Sequence, residues 1–381
     1  MQEMNFPHCF NYYITLTEFL QVLSHNIVVK VHLGKIERNS HTMVNTNKVA
    51  TNLTNATGID GRDNKCKYFP EGGLISTSEN KRYTESRKSL EECIASQKIV
   101  EAVCIVCDAS HNLIVDFGFM KGLIPRNEGA IGIDEGVTRD IALISRVNKP
   151  VCFKVTGFVE GDSPYTGMAL LSRRAAQLEC IERYIKQLSA GDVISAKITH
   201  LEQFGCFVDI GCGLPSLIPI DAISVSRISH PSDRFLIGQE VFAIVKQIEP
   251  NPNGLSVYPK ITLTHKELLG TWEQNVINFT AGETVSGIVR SVESYGVFVE
   301  LLPNLAGLAE LRDNISVNQA VSVYIKAIIP EKMKIKLIIV DSFDKAKINY
   351  NYNYLVNSGR FDRWVYSTDE SPKMIKTDFV N

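Results

Sequence analysis

From Ile99 onward the chain alternates short apolar runs with turn residues, the period-2 pattern of half-buried strands. Between 191 and 265 the pattern predicts strands over Val193–His200, Cys206–Gly211, Ser216–Ile220, Glu240–Glu249 and Lys260–Thr264. An earlier block, Ile99–Cys107, Leu113–Phe117, Gly122–Pro125, Val151–Gly157 and Met168–Ser172, repeats the scheme. Helical spacing follows each block: Leu178, Ile181, Ile185 and Leu188 after the first, Leu268, Leu269, Trp272, Val276 and Phe279 after the second. Both amphipathic stretches stop just before an Ala-Gly-acid step (Gly191, Gly282), where glycine suits a helix C-cap, and both read as spacers between domains. Leu74 to Ser96 looks partly helical, with Leu90, Cys93 and Ile94 on its buried side.

The blocks are copies. GDVISAKITHLEQFGCFVDIG at 191–211 and GETVSGIVRSVESYGVFVELL at 282–302 share landmarks at one offset: Gly191 with Gly282, Phe204 with Tyr295, Phe207 with Phe298. The first block aligns at slightly drifting offsets, as loop insertions in diverged repeats produce: GLIP at 122–125 with SLIP at 216–219, and LSRR at 171–174 with LTHK at 263–266. Five short strands per copy, in about 75 residues, is the size of the OB-fold barrel. The expected architecture is mainly β: three tandem five-stranded barrels joined by short amphipathic helices, behind a disordered N-terminal extension. The divisions are 1–66 (extension, rich in Asn, Thr and Ser from Glu37 to Asn64), 67–97 (partly helical lead-in), 98–176 (degenerate first barrel), 177–190 (linker helix), 191–265 (middle barrel), 266–280 (linker helix), 281–344 (shortened third barrel) and 345–381 (a tail containing NYNYNY).

Composition narrows the function. A chain of 381 residues with 44% hydrophobic and 22% charged residues is ordinary for globular protein. A net charge of −2 argues against gripping nucleic acid by charge alone, yet leaves room for base stacking helped by a few local cations. Tyr12–Val31 is too broken by polar residues to span a bilayer, so a cytoplasmic location and no membrane partner are expected. Nine cysteines, an odd number, fit no closed disulfide framework. Cys104-x-x-Cys107 lies in one strand with its cysteines three apart, hence on opposite faces, and reads as structural thiols.

The repeated unit aromatic-Gly-x-Phe carries the remaining chemistry. Strict alternation would separate Phe204 from Phe207, but a bulge at Gly205 could bring both rings to one side. Aromatics in small barrels usually fill the core, so spacing alone leaves core and stacking surface both open; repetition of the whole unit favours the surface. Gly-Asp at 191–192, FGCFVDIG at 204–211 and HPSDRFLIGQEV at 230–241 resemble the S1 RNA-binding motif, an OB-fold repeat named after a ribosomal protein, over about 98–340. The likeness is to bacterial proteins with tandem copies. It implies a nucleic-acid face of Phe204, Phe207 and Lys260 in the middle copy, and of Tyr295, Phe298 and Lys334 or Lys336 in the third. The family's histidine position holds Pro219 in the middle copy and falls at Ala309-Glu310 in the third. Arg227 and His230 add local positive or titratable character in the long loop of the middle copy, and Lys197 and Arg290 do so on first strands; ordinary solvation is an equal reading for all four. In the first copy His111-Asn112 stands where aromatics belong, so docking or spacing is as good a role for it.

No phosphate loop, nucleophile–base pair or clustered metal ligands stand out. The reading is therefore non-catalytic: no cofactor, no metal and no small-molecule substrate. By resemblance, single-stranded RNA is the partner, translation the context, and the small ribosomal subunit a further partner. A protein-interaction scaffold docking on the ribosome or an RNA-processing complex is the alternative.

Overall fold

A computed structural model describes residues 68–250, 258–345 and 351–379. The expected disordered extension lies outside the described residues. The lead-in forms two helices, α1 (Ser78–Tyr83) and α2 (Arg87–Ser96). Ser86 and Ser89 close a reciprocal capping box at the start of α2, satisfying amide donors that the first turn leaves unpaired. Leu90 and Cys93 of α2 are fully buried against the first barrel and Ile94 partly so, the face that spacing predicts.

Three closed barrels follow. The first comprises β1 (Ile99–Cys107), β2 (Leu113–Asp116), β3 (Lys121–Ile124), β4 (Pro150–Phe158) and β5 (Ala169–Ser172), with a short helix α3 (Ile141–Ile144) in its β3–β4 loop. After α4 (Arg173–Arg183) comes the middle barrel, β6 (Val193–Glu202), β7 (Gly205–Asp209), β8 (Pro215–Pro219), β9 (Glu240–Glu249) and β10 (Lys260–Thr264). After α5 (Trp272–Val276) comes the third, β11 (Thr284–Glu293), β12 (Gly296–Leu302), β13 (Leu305–Ala309), β14 (Gln319–Ile329) and β15 (Lys334–Lys345). Each closes in the order first-second-third-fifth-fourth, with the third and fifth strands parallel and all other neighbours antiparallel. This is the OB arrangement. Each first strand carries a bulge in its second half, at Ile105, Thr199 and Arg290, which bends the strand around its barrel.

Alternation supplies the cores. Ile194, Ala196 and Ile198 of β6 face inward with Cys206 and Val208 of β7, and Val289, Val297, Val299, Val321 and Val323 fill the third barrel. The bulge at Ile105 corrects the expectation for Cys104 and Cys107. The extra residue restores them to the same side, so Cys104 is fully buried and Cys107 packs against the same core.

The joining helices are packed rather than free spacers. Ala176, Cys180 and Ile181 of α4, with Ile185 beyond it, sit within the core of the middle barrel, whereas Leu178 is exposed. Gly191 and Gly282 are not helix caps. Their N–H groups donate to Val245 O (2.7 Å) and Ile325 O (2.8 Å), and a Cβ on Gly191 would lie 1.9 Å from Phe361 O. That carbonyl belongs to the tail, which folds back as a strap. Tyr352 Oη donates to Arg234 O, Tyr354 Oη lies 3.1 Å from His265 Nε2, and Tyr366 Oη donates to Asn304 O. A hairpin of β16 (Arg363–Val365) and β17 (Lys376–Asp378) then places Trp364, Tyr366 and Phe379 in the core cluster of the third barrel.

Buried ion clusters hold the barrels to one another. Glu71 of the lead-in is gripped by Arg173 Nε (2.6 Å) and Arg146 Nη1 (3.1 Å), while its amide donates to Asp209 Oδ2 of the middle barrel (2.7 Å). Burial opposes the charge on Glu71, but Arg173 and Arg146 hold its carboxyl below the usual range. Burial and the charge of Glu71 push Asp209 the other way, up to about 6. Between the middle and third barrels, Glu300 joins Arg234 to Arg290 (Nε to Oε2, 2.8 Å), and Arg290 also lies 3.8 Å from Asp233.

Candidate nucleic-acid interface

The exposed aromatics sit at the tip of the first hairpin of two barrels. Phe204 occupies the turn between β6 and β7, so strand alternation does not bind it, and no bulge in β7 is needed. The bulge lies instead in β6, at Thr199. Ile220 N donates to Phe204 O (2.9 Å) and fixes the turn. Gly205 is required by a close approach: a Cβ there would lie 2.4 Å from Ile218 O, and one on Gly296 would lie 2.6 Å from Ala309 O. The result is the same in both copies. The Phe204 and Phe207 ring centroids are 5.9 Å apart at 87°, and those of Tyr295 and Phe298 are 6.1 Å apart at 90°. Phe204 is 56% exposed and Tyr295 67%, so the leading aromatic of each pair is no core residue; Phe207 and Phe298 are half-buried at its foot.

Register extends each pair across the barrel. In the middle barrel His200, Phe207, Leu217 and Thr262 are successive cross-strand partners; in the third they are Ser291, Phe298, Leu308 and Lys336. Lys336 therefore shares a row with Phe298, while Lys334 stands two residues back on β15, as Lys260 does on β10 relative to Thr262. Lys260 is well exposed but lies 3.2 Å from Glu249. It borders a groove of about 370 Å³ whose walls include Phe207, Leu217 and Tyr258. Lys334 and Lys336 are exposed and make no ion pair among the described residues.

Four further candidates are placed elsewhere. Lys197 is not presented to solvent as a free cation: its Nζ donates to Glu71 O (2.8 Å) at the joint with the lead-in. Arg290 is buried and committed to Glu300 and Asp233, because the bulge that shapes β11 turns it into the joint between barrels. Arg227 is exposed in the β8–β9 loop, and His230 caps the turn Pro231–Asp233 by accepting from Ser232 N (3.1 Å). Neither shares a strand register with the aromatics. His200, Leu217 and Tyr258 were missed; counting β6 from its bulge would have found His200 opposite Phe207.

The first barrel keeps the register and loses the face. His111, Asn112 and Ile114 stand where Phe204, Gly205 and Phe207 stand. His111 leans on Asp140 (3.6 Å), Asn112 Oδ1 accepts from Arg126 N (2.9 Å), and Ile114 is buried. The row becomes aliphatic: Val106, Ile114, Leu123 and Leu170.

Residues 187–259 match the family model described as S1 RNA binding domain. Among curated relatives, the small ribosomal subunit protein bS1 of Staphylococcus haemolyticus is 30% identical over 244 residues, and that of Staphylococcus aureus (strain COL) 28% over 242. Each alignment covers 61% of this chain and 57% of the relative, so the chain spans somewhat over half their length. A crystal structure of a Streptococcus pneumoniae multidomain protein with nucleic acid binding domains aligns over 64% of this chain and 73% of its own, with 11% identity and a TM-score of 0.21. Among the described residues no helix is long and apolar enough to cross a membrane, and no group of three or more His, Cys, Asp and Glu side chains is placed to hold a metal ion.

Proposed function

We propose that this protein binds single-stranded RNA, without catalysis, through the aromatic faces of its middle and third barrels. The observation that carries the reading is the duplicated, exposed aromatic pair, held at one geometry by one glycine in each copy. A strand laid across such a face stacks a base on each exposed ring, at roughly 1–3 kcal/mol per base. Every base has a π-face, so selectivity among sequences is modest. Two weak faces on one chain bind one strand more tightly than either does alone. The similarity to bS1 supports a setting in translation, with messenger RNA and the small ribosomal subunit as partners.

The first barrel, with His111, Asn112 and Ile114 in place of the aromatic unit, is read as a docking or spacing domain. Anisotropy of a labelled single strand with the full chain, at two salt concentrations and with duplex RNA as control, tests the main reading. Micromolar or tighter binding, selective for single strands and weakened by salt, is expected. No binding at low salt would leave the faces as docking surfaces for protein.

A further inference from the structure

His200 and Thr262 are the polar side chains in the aromatic row of the middle barrel, and His200 is the one that stands opposite Phe207 with its ring held by a neighbour. It stands opposite Phe207 in register, and its side chain is 54% exposed. Its Nε2 lies 2.7 Å from Glu202 Oε1. An ionised carboxylate only accepts, so Nε2 carries the proton and donates; in the neutral ring Nδ1 is then a bare acceptor. No partner for Nδ1 is present among the described residues. Glu202 thus fixes both the tautomer and the plane of a ring that borders the stacking position on Phe207.

Stacking cannot tell RNA from DNA, because the bases present the same faces in both. The sugar's 2′-hydroxyl can, through a donor and an acceptor that DNA lacks. We propose that His200 Nδ1 accepts a hydrogen bond from the 2′-hydroxyl of the nucleotide stacked on Phe207, making the middle barrel selective for RNA over DNA. The proposal rests on the RNA-binding reading above. The same row position is Ser291 in the third barrel and Val106 in the first, so the device is confined to the middle barrel.

The test is anisotropy of the full chain with two labelled strands of one sequence, one ribose and one deoxyribose. The unmodified protein binds the ribose strand more tightly. His200→Ala shrinks that preference about fivefold, the worth of one net hydrogen bond, by weakening RNA and leaving DNA unchanged. His200→Asn, which keeps an acceptor, restores part of it. Glu202→Ala erodes the preference by releasing the tautomer. Both side chains are solvent-facing, and circular dichroism of each variant checks the fold. An unchanged ribose preference in His200→Ala overturns the proposal, as does an equal loss for both strands. Failure of the unmodified protein to bind either strand overturns the RNA-binding reading itself, and this proposal with it.

Discussion

The first and middle barrels share strand order, register and the position of the first-strand bulge, yet only one presents an aromatic face. The difference is confined to three positions around one turn. Phe204, Gly205 and Phe207 in the middle barrel are His111, Asn112 and Ile114 in the first. Gly205 lets the Ile218 carbonyl approach, and Phe204 rides on the turn that results. Asn112 fills the corresponding space with a side chain that serves the backbone of Arg126. The barrel is therefore specified by the inward half of the alternation, and the face by a few outward residues that the fold does not need. The same separation holds for charge. Asp116 of the first barrel only accepts from Gly118 N at an exposed turn, whereas its equivalents Asp209 and Glu300 are buried in the joints between domains.

That contrast predicts the largest effect. Glu300→Ala would leave Arg234 and Arg290 buried with Asp233 as the one carboxylate in ion-pair range among the described residues, a loss of about 3–5 kcal/mol in chemical denaturation. Asp116→Ala should stay within about 0.5 kcal/mol. Next comes the residue after each fifth-strand core position. Arg173 in the first barrel is charged and held by Glu71; His265 in the middle barrel is buried among Phe235, Tyr352 and Tyr354 and held neutral, its pKa pushed down to about 4 by burial. An unfolded histidine takes its proton near pH 6.5, so the stability His265 contributes is present above that pH. It is lost as pH falls towards 4, and amounts to about 3 kcal/mol. His265→Phe should flatten this part of the acid-side stability curve; an unchanged slope would mean that the ring already exchanges protons with solvent in the folded state.

The aromatic pair comes third. Phe204→Ala with Phe207→Ala should weaken single-strand RNA binding ten- to hundredfold, with the fold intact by circular dichroism. His111→Ala in the first barrel should leave affinity unchanged. Equal losses from the two barrels would erase the distinction between them.

The strands were legible because a two-residue period with valine and isoleucine admits few other structures; β9 and β10 fall on their predicted limits. The approach of Phe204 to Phe207 was legible as an outcome but not in its cause, since the turn is only Gln203-Phe204: β6 runs two residues further than the pattern predicts and β7 starts one residue earlier. Lys197 and Arg290 read as surface cations because each is drawn into a joint between domains: Lys197 reaches Glu71 O of the lead-in, and Arg290, paired with Glu300 of its own barrel, also faces Asp233 of the middle one. The tail was opaque for the same reason. NYNYNY has no core-facing period of its own, and Tyr352 and Tyr354 find their places only against Phe235, Phe242 and His265.

The smallest effect separates the middle from the third barrel. Lys260 already shares its charge with Glu249 at 3.2 Å, so little counterion is released when a phosphate replaces that partner. Lys336 has no such partner among the described residues and stands in the row of Phe298. Each lysine that neutralises one phosphate contributes about 0.7 to the slope of log affinity against log salt on a single strand. Lys336→Ala should lower the measured slope of the full chain by about that amount. Lys260→Ala should lower it by less, and Glu249→Gln should raise it by freeing the lysine. Equal slopes for Lys336→Ala and Lys260→Ala would mean that the bound strand displaces Glu249 completely, and that the two faces grip the backbone alike.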